Sequence, residues 1–83
     1  MNVPPASGSP DDFRSFIAET AERAAAYAEH VASYAQLGDD TGLHRAVRMM
    51  TVCAVKAAET LPMLAEAARQ DAAMRAAARA LAE

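Results

Sequence analysis

Apolar positions in this chain recur at steps of three and four, the period of an α-helix. Ala21, Ala24, Ala28, Val31 and Ala35 form one stripe, and Ala46, Cys53 and Ala57 resume it after a turn. These side chains are small enough to let two helix backbones approach closely. A second stripe, Phe13, Thr20, Tyr27 and Tyr34, is spaced by sevens on the first helix. It reads either as the margin that broadens the apolar face or as an aromatic seam for a partner helix. On the second reading Phe13, Ile17, Tyr27, Val31 and Tyr34 are the interaction face. No alternating run points to a strand.

Punctuation divides the pattern into elements. Residues 1–9, with Pro4, Pro5, Ser7 and Gly8, read as a flexible arm ahead of a single helical domain over 10–83. Ser9 is a candidate N-cap, Pro10 suits the first helical position, and Asp11 and Asp12 complement the positive end of the dipole. The first helix is predicted from about 10 to 36, ending at Leu37-Gly38. Asp39-Asp40-Thr41 then caps a second helix, starting near Thr41 or Gly42 and running at least to Thr60. A connection this short makes the pair an antiparallel hairpin. The face of the second helix expected to be buried is Leu43, Ala46, Val47, Met50, Cys53, Ala54, Ala57 and Leu61. Pro62 either kinks this helix or opens a new one; a bend or break near Gln70-Asp71 then leads into a C-terminal helix ending about residue 82. The expected architecture is all-α: an antiparallel hairpin plus a third helix, completing a four-helix-type bundle by self-association.

Composition narrows the functional classes. The 83 residues allow one modest core, and a core of this size supplies roughly 3–5 kcal/mol, so oligomerisation is expected. The net charge of −3 argues against general nucleic-acid binding. Arg69, Arg75 and Arg79 are interleaved with Glu66, Asp71 and Glu83, as on a solvated, ion-paired face. A single cysteine excludes an intramolecular disulfide. No run is apolar enough for a membrane span, and Met1 to Pro10 lacks the features of a signal peptide, so the expected location is cytoplasmic.

The ladder Ala21, Ala24, Ala28, Val31, Ala35, the turn Leu37-Gly38-Asp39-Asp40, the element Ala46-Val47-Arg48, then Cys53-Ala54 and Ala57 resemble the four-helix-bundle copper storage proteins, a cysteine-rich bacterial family. The register holds from about residue 17 to residue 65. In that family the ladder positions carry inward-facing cysteines that bind Cu(I). Here six of the eight ladder positions are Ala, one is Val and one is Cys. The resemblance implies the hairpin and the assembly but not the storage of copper, because soft Cu(I) requires two or three thiolates per ion. Alanine retains the small volume that lets such a bundle close without metal.

Candidate chemistry is sparse. Cys53 on the apolar stripe reads as a small core residue; as a ligand it needs partners, and Met49 and Met50 lie one turn away, with a second chain or Met74 to complete a Cu(I) site. His30 and His44 read as surface residues, without the spacing of a metal motif. Asp11, Asp12, Asp39 and Asp40 are accounted for by capping, and no phosphate loop, nucleophile elbow or HExxH motif is present. The sequence therefore points to a small non-enzymatic interaction or accessory protein with a homo-oligomeric or other protein partner and no cofactor. The alternatives are a binder of one soft metal ion such as Cu(I), and a ligand-binding or enzymatic cavity between chains involving Tyr27, Tyr34 and His30.

Overall fold

The computed structural model describes residues 8–82, which form two α-helices and no strand: α1, Pro10–Leu37, and α2, Asp40–Ala82. The expected arm over residues 1–9 lies outside the described residues except for Gly8 and Ser9. Ser9 is the N-cap of α1. Its Oγ accepts from the Asp12 N–H at 3.2 Å while the Asp12 carboxylate accepts from the Ser9 N–H at 3.0 Å, a reciprocal capping box with Pro10 in the first turn.

The hairpin turn is two residues long. Gly38 adopts φ 70°, which a side chain would oppose. Its N–H donates to the Ala35 carbonyl at 3.3 Å, and the Asp39 N–H donates to the Tyr34 carbonyl at 3.0 Å, satisfying the last carbonyls of α1. Asp39 then serves as N-cap of α2, its side chain accepting from the Gly42 N–H at 3.0 Å.

The two helices meet along rows spaced by seven. On α2 the buried residues are Ala46, Cys53, Thr60 and Ala67. On α1 Phe13, Phe16 and Thr20 are buried, and Tyr27 and Tyr34 continue the row half-buried. A seven-residue repeat is the signature of helices coiling around one another. Bulk on α1 is matched by small residues on α2: Phe13 shares a groove with Ala67, and the Tyr34 ring lies where a Cβ on Gly42 would come within 2.7 Å of it. Thr20 and Thr60 enter this contact because each hydroxyl donates at 2.7 Å to the carbonyl four residues earlier, Phe16 and Lys56. No buried side-chain N or O among the described residues lacks a hydrogen bond.

Three expectations are corrected. First, the predicted third helix is the continuation of α2, which runs unbroken through Pro62 and Gln70-Asp71 for 43 residues. Pro62 and Ala58 are both exposed, so the hydrogen bond that Pro62 cannot donate is lost outside the buried contact row. Second, the alanine stripe is not the face on which the hairpin closes. Ala21, Ala28 and Ala35 are exposed, whereas the row Phe13, Thr20, Tyr27, Tyr34 makes the contact, because bulkier side chains remove more apolar area from water. Third, Val47, Ala54 and Leu61 on α2 are exposed although Val47 and Leu61 are bulkier than the residues that helix buries, because the bulky α1 row needs small residues opposite it; Ala46 and Cys53 are buried as expected.

Candidate interaction face

With helical residues advancing by about 100° each, the rows flanking the contact are fixed once the contact is known. One flank of the hairpin is polar. Its grooves are lined by Arg23, Val52 and Lys56 midway along, by His30, Asp39 and Arg45 near the turn, and by Met63, Glu66 and Gln70 toward the open end. Glu66 accepts hydrogen bonds from Arg69 and Gln70, and the Arg69 bond and charge hold its carboxyl below the usual value.

The other flank is apolar on both helices. On α1 it comprises Ile17, Ala21, Ala24, Ala28, Val31 and Ala35, and on α2 Leu43, Val47, Met50, Ala54, Ala57, Leu61, Leu64 and Ala68. None carries a charge. Ile17, Ala24, Val31, Leu43, Met50, Ala57, Leu64 and Ala68 are half-buried at the margin of the contact; the others are exposed, Leu61 by 56%. Charge returns only at the open end, where Arg14 pairs with Asp11 at 2.9 Å and Arg75 with Asp71 at 3.1 Å around a groove that Arg79 also lines. The ladder positions lie on this flank and its margin: Ala21, Ala24, Ala28, Val31, Ala35 and Ala57 on the flank, Ala46 and Cys53 just inside the contact.

The candidate residues separate accordingly. Phe13 is spent within the hairpin, beside Pro62, Met63 and Ala67, and is not offered to a partner. Ile17 and Val31 sit on the apolar flank. Tyr27 and Tyr34 lean the other way. They bracket His30 in edge-on ring contacts of 6.2 and 6.5 Å, and all three line an open groove with Asp39, Thr41 and Arg45. That groove lies within one chain, next to the turn.

Cys53 is a buried free thiol. Met49 lines the same groove, of about 220 Å³, together with Thr20, Arg23, Tyr27, Val52 and Lys56. Met50 is turned toward the apolar flank and does not line it. Met74 is 73% exposed and lies about 31 Å along α2 from Cys53 at 1.5 Å per residue, too far to share an ion within one chain. His44 is exposed on the back of α2. Among the described residues no three His, Cys, Asp or Glu side chains gather as a metal site, and no helix is long and apolar enough to cross a membrane.

The sequence pattern groups most residues of the apolar flank, but Ala21, Ala28, Ala35, Val47, Ala54 and Leu61 are exposed rather than closed against the other helix. The missed signal on α1 is the bulk of the seven-spaced row: there two rows compete for the intrachain contact, and the larger side chains take it. No protein-family model, curated protein or solved structure matches this chain.

Proposed function

We propose that this chain is a non-enzymatic helical interaction protein that docks through the apolar flank of its hairpin. The single observation that carries the reading is the charge-free surface on both helices, from Ile17 to Ala35 and from Leu43 to Ala68, beside an opposite flank rich in charge. A surface of this breadth without polar interruption is what helical interfaces bury. The likeness of the ladder to the copper storage family supports a bundle as the docked form, and alanine at six ladder positions removes the thiolates on which storage depends. The test is photo-crosslinking in the cells that make the protein, with benzoylphenylalanine at Ala54 on the apolar flank or at Val52 on the polar one. A discrete adduct from position 54 and none from 52 is expected. No adduct from position 54 overturns the reading.

One observation favours a second reading, the binding of a single Cu(I). Cys53 and Met49 line one groove, a thiol and a thioether of the softness that Cu(I) selects. Arg23 and Lys56 line the same groove and oppose a cation there. Titration of Cu(I) against a chromophoric chelator under reducing conditions decides it. Competition at one ion per chain or per pair of chains, lost in Cys53→Ala, would make metal binding the function.

A further inference from the structure

We infer that the occupant of the apolar flank is a second copy of this chain, laid face to face with its turn at the opposite end, so that two hairpins close a four-helix bundle. The inference rests on the interaction reading above and names its partner.

Area is the first argument. The flank runs for about 27 Å on α1 and about 37 Å on α2 at 1.5 Å per residue. Across two helices spaced by 8–10 Å it offers roughly 600 Å² per copy, so a pair buries roughly 1,200 Å², the lower limit of a stable specific interface. The exposed surface of the chain, 6000 Å² over an extent of 67 × 16 × 15 Å, also exceeds the roughly 4,700 Å² of a compact monomer of this mass.

Shape is the second argument, and it selects a copy over an unrelated helix pair. A two-fold contact must be complementary to itself. The α2 row Val47, Ala54, Leu61 has a small residue midway between two larger ones. Turned end for end about Ala54, it sets Leu61 against Val47 of the partner subunit and Ala54 against Ala54 of the partner subunit. The alternative, with both turns at one end, brings the two open-end grooves together, each holding Arg14, Arg75 and Arg79 against Asp11 and Asp71, with one positive charge in excess. The opposed arrangement separates these clusters.

The full chain is examined by sedimentation equilibrium from 1 to 200 µM, a range set by an interface of minimal size. A mass of two chains at the upper end is expected. Val47→Glu and Ala54→Glu, both at exposed positions, are expected to weaken the dimer at least tenfold while helicity by circular dichroism is kept. Val52→Glu is the matched control, since Val47 and Val52 are each 38% exposed but lie on opposite flanks; it should leave the dimer unchanged. Orientation is read from disulfide capture. Ala54→Cys in a Cys53→Ala background is expected to oxidise to a covalent dimer, and Ala35→Cys in the same background, close to the turn, is not. A monomeric wild-type chain at 200 µM, or equal loss of dimer in Val47→Glu and Val52→Glu, overturns the proposal; capture at position 35 and not at 54 overturns the orientation. The crosslinking experiment separates the two readings: an adduct from position 54 at a mass other than two chains keeps the interaction reading and removes the second copy as partner.

Discussion

The two flanks of the hairpin are built from the same two helices and share one contact row, yet they solve opposite problems. The polar flank places Arg23, Glu66 and Gln70 in water, where Glu66 and Arg69 pair on the surface. The apolar flank exposes Ala, Val and Leu with no charge from Ile17 to Ala35 or from Leu43 to Ala68. A helix that needed only to cover one neighbour would use one stripe, of about 100°. Here the apolar arc of α1 extends well beyond that stripe, and the excess lies wholly on one side of the hairpin. On the proposed reading, that asymmetry is what distinguishes this hairpin from a free-standing one.

The comparison is broken outright by removing the contact that both flanks share. Phe16→Ala takes one of the two buried aromatic rings from the open end. The expected cost is about 3 kcal/mol, most of what a core of this size supplies. Thermal melting at low concentration should show partial unfolding at 25 °C.

A matched pair on α1 sharpens the comparison. Ala26 and Ala28 are both exposed, on the polar and the apolar flank. Ala26→Arg should leave the assembled mass unchanged, and Ala28→Arg should weaken association about tenfold, near 1.4 kcal/mol. Concentration-dependent light scattering on the two variants measures the difference directly.

Gly38→Ala acts on both flanks equally. The left-handed backbone at φ 70° makes Cβ unwelcome, so the hairpin should lose about 1 kcal/mol in urea unfolding with no change in flank preference. The smallest effect belongs to Glu66. Its carboxyl titrates below the usual value because of Arg69, so the associated stability is present above the ordinary glutamate pKa and is lost as pH falls through the lowered one. The residue is exposed, and the loss should be barely detectable by acid titration and absent in Glu66→Gln.

Much of the fold was legible. The Ser9-Pro10-Asp11-Asp12 start, the Gly38 stop and the acidic cap that follows are local features whose geometry depends on a few neighbouring residues, and the structure contains each of them. Pro62 left two readings open, a kink in one long helix or the start of another, because a helix break depends on what surrounds the lost hydrogen bond. Pro62 and Ala58 are both exposed, and the helix continues through them. The apolar flank was visible as residues but not as a surface. Periodicity reports that a residue lies on an apolar arc; it does not rank the rows within that arc. That ranking came from comparing Phe13, Tyr27 and Tyr34 with Ala21, Ala28 and Ala35, a matter of volume. Of the candidate metal residues, Cys53 and Met49 line one groove and Met50 does not, a distinction that spacing of three or four residues from Cys53 does not make.

Thr20 and Thr60 each return their hydroxyl to a carbonyl of their own helix. Each hydroxyl proton is thus spent within its own helix, and its bond fixes nothing along the axis. With the contact rows repeating every seven residues, sliding by one heptad would restore much the same surface at both threonines. The features that oppose such sliding sit elsewhere: the two-residue turn, the Tyr34 ring against Gly42, and Phe13 against Ala67. A chain cut between Gly38 and Asp39 would therefore be expected to re-pair its halves in more than one register, and the turn acts as the gauge that sets the alignment of the two rods.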